Sequence, residues 1–199
     1  LTPAGTAALP NSVGVLIAGS SGNTLTGNVI SGNTGAGVQI SYYLYDLFGH
    51  GGLLPIPADG DFLYGNLIGT DPRGNAAFPN GTGVLLDGAS DTLIQGNTIA
   101  GNRGDGLVLQ ESSPTARNWI QGNFIGTTAA GTAGLGNGGR GVVLNRNTNG
   151  NTLYGNVVAR NAREGGAIWS DGNILAGNGI GLNPAGTAAL PNSVGVLIA

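Results

Sequence analysis

Units that begin with a Gly-Asn pair recur along the sequence and constrain the fold more than any other feature. Long units begin at positions 65, 122 and 177, with GNLIGTDPRGNAAFPNGTGVLLD, GNFIGTTAAGTAGLGNGGRGVVLN and GNGIGLNPAGTAALPNSVGVLIA. Short units begin at positions 27, 96 and 155, with GNVISGNTGAGVQI, GNTIAGNRGDGLVL and GNVVARNAREGGAIW. Long and short units alternate, which indicates a repeat architecture rather than a set of unrelated elements.

The spacing of the units gives the length of each repeat. The asparagines that open the units are Asn28, Asn66, Asn97, Asn123, Asn156 and Asn178, so the successive spacings are 38, 31, 26, 33 and 22. Short apolar runs, bounded by Gly or Asn, recur in each unit, and no segment keeps a helical apolar spacing. Short strands joined by corners that tolerate positive φ predict an all-β fold, a right-handed parallel β-helix. A bladed or meandering all-β fold is the alternative, and it would favour longer alternating strands.

The two ends of the sequence are nearly identical. Positions 1–18 and 182–199 agree at 17 of 18 places, with Thr2 opposite Asn183. The position numbers of the two segments differ by 181, and a period of 181 residues leaves a sixth spacing of 31, from Asn178 to the next copy of Asn28. We therefore expect residues 1–181 to form one unit of about six coils, and residues 182–199 to begin the next.

Neither end of the sequence resembles the polar cap that closes a soluble solenoid. Further copies of the same unit are therefore the expected partners. They would stack end to end, either within one long polypeptide or head to tail between separate chains. The duplicated ends favour the first arrangement.

Composition excludes several other classes of partner. Charged residues make up 9% of the chain, the formal net charge is −3 and all seven basic residues are Arg, so the basic face of a nucleic-acid-binding protein is not expected. The longest aliphatic run is about five residues, against the ~20 that cross a bilayer. There is no cysteine, which excludes disulfides and Cys metal sites and fits an exported protein. We predict neither a metal nor a cofactor.

Inward and corner positions follow from the repeat. The aliphatic residues expected to form stacked inward columns are Val15, Ile17, Leu25, Ile30, Val38, Ile40, Val84, Leu86, Leu93, Ile99, Leu107 and Leu109. The asparagines expected at corners, where side-chain amides can bond the coils above and below, are Asn23, Asn28, Asn33, Asn97, Asn102, Asn151 and Asn156. Trp119 and Trp169 are expected to cover the core, and the arginines to be solvated.

Residues 41–62 interrupt the repeat and account for the longest spacing, between Asn28 and Asn66. This insertion should leave the solenoid as a loop, and it carries five aromatic residues, Tyr42, Tyr43, Tyr45, Phe48 and Phe62. Aromatic-rich loops tend to be interaction surfaces. Contact with another chain, cover for the loop's own solenoid and stacking on carbohydrate are the three alternatives.

The run GNxIGTDxxGxAAxPNGxGVLL followed by xxNTxxGNxISGN resembles the right-handed parallel β-helix repeat family, which is related to the pectate-lyase-like fold. That family is common in large secreted bacterial surface proteins. The resemblance covers nearly the whole chain apart from residues 41–62. It implies the fold, but it does not select an activity, because lyases, hydrolases, adhesins and passive spacers share this fold.

Catalytic candidates are few. His50 lies in a Gly-His-Gly that is similar to the motif of polygalacturonases, but that family's other motifs are absent, and Asp59 with Asp61 is the one acidic cluster near it. Asp87, Asp91 and Asp105 are interpreted as solvated turn residues rather than as a calcium site. No catalytic residue is predicted.

The leading hypothesis is an extracellular or cell-surface structural protein, a filament- or stalk-forming tandem β-solenoid. Solenoids of this kind could also associate laterally as protofilaments. A surface adhesin or polysaccharide-binding protein that displays the aromatic loop is the alternative, and a polysaccharide lyase or hydrolase is a third.

Overall fold

The repeating units fold as successive coils of short parallel strands. The computed structural model describes residues 9–46, 53–110, 112 and 114–199. Within these residues the secondary structure consists of 21 strands and no helix. None of the described residues therefore belongs to a helix long and apolar enough to cross a membrane.

Three parallel sheets run the length of the structure. Sheet 1 has seven strands in the order β1 (Val15–Ala18), β4 (Ala36–Ser41), β9 (Thr82–Asp87), β12 (Leu107–Gln110), β15 (Val142–Leu144), β18 (Glu164–Ile168) and β21 (Val194–Ile198). Sheet 2 has six, β2 (Thr24–Thr26), β7 (Phe62–Tyr64), β10 (Leu93–Gln95), β13 (Trp119–Gln121), β16 (Thr152–Tyr154) and β19 (Ile174–Ala176). Sheet 3 also has six, β3 (Val29–Ile30), β8 (Leu67–Ile68), β11 (Thr98–Ile99), β14 (Phe124–Ile125), β17 (Val157–Val158) and β20 (Gly179–Ile180).

Each coil contributes one strand to each sheet, in the order sheet 2, sheet 3, sheet 1. Equivalent residues lie directly above one another: Ile94, for example, is paired with Leu63 on one side and Ile120 on the other. Six such coils follow β1, and connections between parallel strands of one sheet are right-handed by the general rule. The prediction of a right-handed parallel β-helix with about six coils is confirmed.

The core is a set of aliphatic columns inside the coils. Sheet 3 contributes Ile68, Ile99 and Ile125 among others, and sheet 1 contributes two inward residues from most strands, such as Val84 with Leu86. Burying one such side chain contributes about 1.5–3 kcal/mol. Val15 and Leu25 are only partly buried because they belong to the first strands of the stack.

One predicted core residue is wrong. Leu93 points outward, and the fully buried residue of its strand is the neighbouring Ile94. A three-residue strand of sheet 2 has one inward position, its middle residue, and Leu93 is paired instead with the outward residues Phe62 and Trp119. Because both Leu93 and Ile94 are aliphatic, hydrophobicity alone does not choose between them.

The insertion forms an antiparallel hairpin that leaves the solenoid. Its strands are β5 (Tyr43–Asp46) and β6 (Leu53–Ile56), with Tyr43 paired to Ile56. The predicted bounds of 41 and 62 were too wide, since Ser41 ends β4 and Phe62 begins β7. Phe62 is thus a residue of the solenoid and not of the loop.

Long units differ from short ones by a loop between sheets 3 and 1. Each loop is closed by an isolated antiparallel bridge, namely Thr70–Ala77, Thr127–Gly134 and Leu182–Ala189. The loops stack on one another every second coil, because Ala129 N donates to Gly74 O across 3.0 Å. The alternation of long and short units therefore builds a continuous ridge on one corner of the solenoid.

Candidate functional site

Polar side chains, almost all of them asparagine, form three ladders along the corners of the solenoid. Ladder 1, between sheets 2 and 3, consists of Asn28, Asn66, Asn97, Asn123, Asn156 and Asn178. Ladder 2, which precedes sheet 2, consists of two hydrogen-bonded segments, Asn23 with Asp61 and then Thr92, Asn118, Asn151 and Asn173. Ladder 3, between sheets 3 and 1, consists of Asn11, Asn33, Asn80, Asn102, Asn137, Asn161 and Asn192.

Asn123 shows the bonding that repeats along the ladders. Its backbone N and its Nδ2 both donate to Asn156 Oδ1, across 2.9 Å each. Its Oδ1 accepts from Asn97 N and Nδ2 at 2.9 and 3.0 Å, and its Nδ2 also donates to Ile94 O at 2.8 Å. Since Asn123 is fully buried, each coil satisfies the corner polar groups of the next.

All seven asparagines expected at corners lie in these ladders. Asn28, Asn97 and Asn156 lie in ladder 1, Asn23 and Asn151 in ladder 2, and Asn33 and Asn102 in ladder 3. The asparagine members outside that expectation are Asn11, Asn66, Asn80, Asn118, Asn123, Asn137, Asn161, Asn173, Asn178 and Asn192, of which Asn66, Asn123 and Asn178 open units. Those that open units could have been found from their Gly-Asn pairs. Asn80 and Asn118 follow Pro79 and Arg117 instead, so that signal does not reach them.

The bonds of every ladder run in one direction, so the two end faces of the solenoid differ. Among the described residues, nothing donates to Oδ1 of Asn11, Asn23 or Asn28 at the first coil. At the last coil, Asn173, Asn178 and Asn192 donate only to carbonyl or hydroxyl groups of their own or earlier coils. Within the described part of the chain, one face thus presents open acceptors and the opposite face presents open donors, at the same three corners.

The strand at the last coil also matches the strand at the first. Val196, Leu197 and Ile198 pair with β18 and repeat the sequence of Val15, Leu16 and Ile17. In β1 those residues pair with Val38, Gln39 and Ile40 of β4. The open edge of β21, where Ile198 is 72% exposed, is therefore suited to a strand with the sequence of β4.

Ladder 2 contains one acid in place of an amide. Asp61 is fully buried, and its Oδ1 accepts from Asn23 N and Nδ2 at 2.6 and 2.9 Å. Its Oδ2 has no hydrogen-bond partner among the described residues, whereas Asn118 donates from the equivalent atom to Ala89 O. Burial raises the pKa of Asp61 against the opposing effect of the Asn23 hydrogen bonds.

Replacing Asp61 with asparagine is expected to stabilise the protein at neutral pH. The amide can donate where the buried carboxylate oxygen has no partner among the described residues, and an unpaired buried group costs about 1–3 kcal/mol. Because the folded-state pKa of Asp61 lies above the unfolded value, protonation favours the folded state, and this stability is lost as the pH rises through the folded pKa. The advantage of Asp61→Asn should therefore shrink as the pH is lowered, which urea unfolding at a series of pH values measures. A pH-independent advantage would argue against a buried ionised carboxylate.

The hairpin presents apolar side chains to solvent. Tyr43, Leu44, Leu54 and Ile56 are exposed, while Tyr42 is partly buried. The base of the hairpin lies against Gly19 of the preceding coil, where a Cβ would come within 2.7 Å of Tyr43 Cβ. The hairpin thus rests on its own solenoid at its base and exposes the remainder.

The other predicted aromatic positions fall in different places. Tyr45 pairs with Leu54 through the backbone, Phe48 lies outside the described residues, and Phe62 lies on sheet 2. The structure therefore does not bring all five aromatic residues together in one loop.

The acidic candidates for catalysis or calcium binding form bonds to neighbouring coils. Asp59 Oδ1 accepts from Ser90 N, Asp105 Oδ1 accepts from Arg140 N, and Asp91 forms an exposed ion pair with Arg117 at 2.7 Å. His50 lies outside the described residues. No group of three or more His, Asp or Glu that could hold a metal occurs in the described part of the chain.

Neither tryptophan is a core residue. Trp119 is 51% exposed on the outer side of sheet 2, because it occupies the outward first position of its strand. Trp169 is partly buried, and the guanidinium of Arg140 lies 5.1 Å from its ring centroid. Arg140 also pairs with Glu164 at 2.7 Å, so the expectation that the arginines are solvated is wrong for this residue.

Comparison with known proteins places the chain among β-helix proteins. The sequence model of a family described as periplasmic copper-binding protein (NosD) matches residues 63–195. No curated protein sequence matches the chain. Two crystal structures of mutants of the periplasmic alginate epimerase AlgG are similar, both with a TM-score of 0.53 and 18% identity.

The two matches cover 80% and 94% of this chain, but only 36% and 46% of the epimerase chains. The chain thus spans less than half the length of those proteins. At so low a sequence identity, the likeness shows a shared fold and nothing about activity.

Proposed function

Because the chain belongs to the NosD family, whose sequence model matches residues 63–195, we propose that it is an exported structural β-solenoid whose 181-residue units stack end to end into a filament or stalk. The family's description as periplasmic supports export to the periplasm or cell surface. The single observation that carries the structural role is the match between the two end faces.

Stacking would complete all three ladders. Asn173 and Asn178 would donate to the next copy's Asn23 and Asn28, and Asn192 would donate to the next copy's Asn33 as Asn11 donates to Asn33 within this chain. The edge strand β21 would pair with the next copy's β4 in the register that β1 has now. An exposed edge strand otherwise invites unspecific pairing, so regular stacking gives this surface a defined partner.

Stacking within one long polypeptide is the form of the proposal that we favour, because residues 182–199 repeat the sequence of residues 1–18.

Copper does not fit the residues of this chain. Cu(I) prefers thiolate and thioether ligands, and imidazole is the other common copper ligand. The chain has no Cys, no Met and a single His, His50. The proposed function therefore uses no metal.

The hairpin supports a second candidate function, a surface adhesin. Its exposed residues Tyr43, Leu44 and Leu54 stand outside the solenoid, where a stalk would present them to a protein or glycan partner. Large exposed apolar groups in a cluster are typical of interaction sites. This role is compatible with a stacked solenoid but does not require one.

A two-unit chain tests the stacking. In it, residues 19–199 are appended directly after Ala199. It is expected to unfold in one transition, at higher urea concentration than the single unit. Six coils at ~4.8 Å advance about 29 Å, so small-angle scattering or electron microscopy should show a particle longer by that amount.

A matched pair of variants separates stacking from mere linkage. The double substitution Asn23→Ala and Asn28→Ala is made in one copy of the two-unit chain. In one variant it lies in the first copy, at the free end, and in the other it lies in the second copy, at the junction. The junction variant should cost about 2–4 kcal/mol more, because each buried donor left unpaired costs about 1–3 kcal/mol. Equal costs in the two positions, together with two independent bodies in the images, would end the proposal.

A further inference from the structure

The outward side of sheet 2 carries a two-column surface that neither proposed role uses. The first column is Thr24, Phe62, Leu93, Trp119, Thr152 and Ile174, aligned by the strand register. The second column is Thr26, Tyr64, Gln95, Gln121, Tyr154 and Ala176, aligned in the same way. We call these twelve side chains the aromatic face, since Phe62, Tyr64, Trp119 and Tyr154 are all exposed.

The aromatic rings are spaced along the solenoid axis. Phe62 and Trp119 are two coils apart, about 10 Å, and Tyr64 and Tyr154 are three coils apart, about 14 Å. The Tyr64 ring reaches over the next coil, to 3.8 Å from where a Cβ at Gly96 would lie, and Tyr154 reaches Gly177 in the same way at 3.7 Å. Because these glycines have positive φ and no side chain, the two rings rest on the backbone.

The aromatic face has no charge. None of its twelve side chains is Asp, Glu, Arg or His. Single-stranded nucleic acid also stacks on aromatic rings, but it needs a basic groove to bind its phosphates. A polyanionic polysaccharide would likewise find no basic partner on this surface.

The aromatic face of one unit is also too small for a stable protein partner. Three-residue strands are about 10 Å long, and five coil spacings cover about 24 Å, which gives an area of roughly 240 Å². A stable protein–protein interface needs about 800 Å² per partner. A narrow linear ligand fits this strip better than a globular protein or a second copy of the chain.

We propose that the aromatic face binds an uncharged linear glycan lying along the solenoid axis. The C–H-bearing faces of neutral sugar rings pack against aromatic rings, whose π-faces are electron-rich. The hydroxyl groups at the edges of the sugar find hydrogen-bond partners in the amides of Gln95 and Gln121 and in the threonine hydroxyls. A shallow depression of about 440 Å³ beside Phe62, Tyr64 and Gln95 marks one end of the strip.

The two tryptophans provide a built-in readout. Trp169→Phe leaves Trp119 as the single tryptophan, and Trp119→Phe leaves Trp169, which lies next to Arg140 away from the aromatic face. Cellohexaose, xylohexaose and mannohexaose serve as neutral probes, and hexagalacturonate as the acidic one. At least one neutral probe should shift the fluorescence of the Trp169→Phe protein and leave that of the Trp119→Phe protein unchanged.

Affinity measurements by calorimetry complete the test. Trp119→Ala should weaken binding of that probe at least ten-fold, and Phe62→Ala should weaken it in the same direction. Leu16→Ala is the matched control, since Leu16 is 57% exposed, close to the 51% of Trp119, but lies on sheet 1. Tyr43→Ala tests the hairpin in the same assay. Unchanged midpoints of thermal unfolding would show that these alanine variants are folded.

Four outcomes would overturn the proposal. They are the absence of a response to every neutral probe, equal binding of hexagalacturonate, loss of binding in Tyr43→Ala rather than Trp119→Ala, and a dimer in light scattering that Trp119→Ala dissociates. The third would assign glycan binding to the hairpin, and the fourth would make the face a contact between copies. None of them bears on end-to-end stacking, which the two-unit chain tests separately.

Discussion

Replacing Gly126 with alanine is expected to destabilise the protein by more than about 4 kcal/mol. Gly126 has a φ of +85°, a conformation that costs a residue with a Cβ about 1–2 kcal/mol. A Cβ at this position would also overlap Ala159 O and the side chain of Asn161 in the next coil. Because coils are held at the strand spacing of a sheet, the backbone of Ala159 cannot retreat without breaking the Ala159 N to Ile125 O bond.

Gly181 is the matched control for this substitution. It occupies the same place in the last long unit, with a φ of +76°, but the nearest atom to its Cβ would be Pro191 Cα at 3.8 Å. Gly181→Ala should therefore cost only the conformational penalty of about 1–2 kcal/mol. Urea unfolding followed by circular dichroism compares the two, and similar costs would show that coil-to-coil contact is not what makes Gly126 obligatory.

The same pair of glycines reports on the surroundings of the last coil. Within this chain, Ala100 and Asn102 of the next coil lie against Gly69. In the two-unit chain, the second copy's Ser31 and Asn33 would lie against Gly181 in the same way. Gly181→Ala should then become as damaging as Gly126→Ala. A glycine that is permissive in one context and obligatory in the other would be a direct sign of stacking.

Much of the fold could be predicted from the sequence, because Gly-Asn pairs mark the corners of the coils. The spacings of 38, 31, 26, 33 and 22 between Gly-Asn pairs are the separations of the bonded asparagines in ladder 1. Gly27 and Gly65 adopt positive φ immediately before these asparagines. A corner needs a residue that accepts positive φ, followed by a side-chain amide that bonds the neighbouring coils. The Gly-Asn pair meets both requirements and therefore marks a corner almost wherever it occurs.

Which residue of each short strand faces the core could not be predicted in the same way. In the three-residue strands of sheet 2, only the middle residue is buried, and two adjacent aliphatic residues such as Leu93 and Ile94 give no signal for choosing between them. The hydrophobicity of Trp119 predicts a residue that covers the core, but its strand neighbour Ile120 fills the inward position. The outward side of sheet 2 tolerates large apolar residues, and this breaks the assumption that such residues are inside.

The members of the candidate site were only partly predictable. Asp61 and Thr92 occupy ladder positions without being asparagine, and only the three-dimensional alignment of coils reveals them. The complementarity of the end faces depends on the common direction of the amide bonds, which a sequence does not state. The near-identity of residues 1–18 and 182–199 predicts a repeat, and the ladders supply a physical reason why one unit would fit the next.

Asn123→Ala is expected to cost about 3–5 kcal/mol, although it removes only a carboxamide group. The substitution deprives Asn97 N and Nδ2 of their acceptor, deprives Ile94 O of a donor and leaves Asn156 Oδ1 with one bond in place of two. Each buried group left unpaired costs about 1–3 kcal/mol, and bonds in a chain reinforce one another.

Asn28→Ala is the matched substitution at the open end of the same ladder. Asn28 is exposed, its Nδ2 donates to Asn66 Oδ1 and its own Oδ1 accepts nothing among the described residues. Asn66 Oδ1 keeps the backbone bond from residue 28, so the cost should stay below about 1 kcal/mol. Hydrogen exchange adds a second measure: Asn123→Ala should reduce protection at the Asn97 amide, whose acceptor is lost, while Asn28→Ala should leave that amide protected. If both variants cost the same, the ladder would act as a set of independent side chains, and its open ends would provide no drive for stacking.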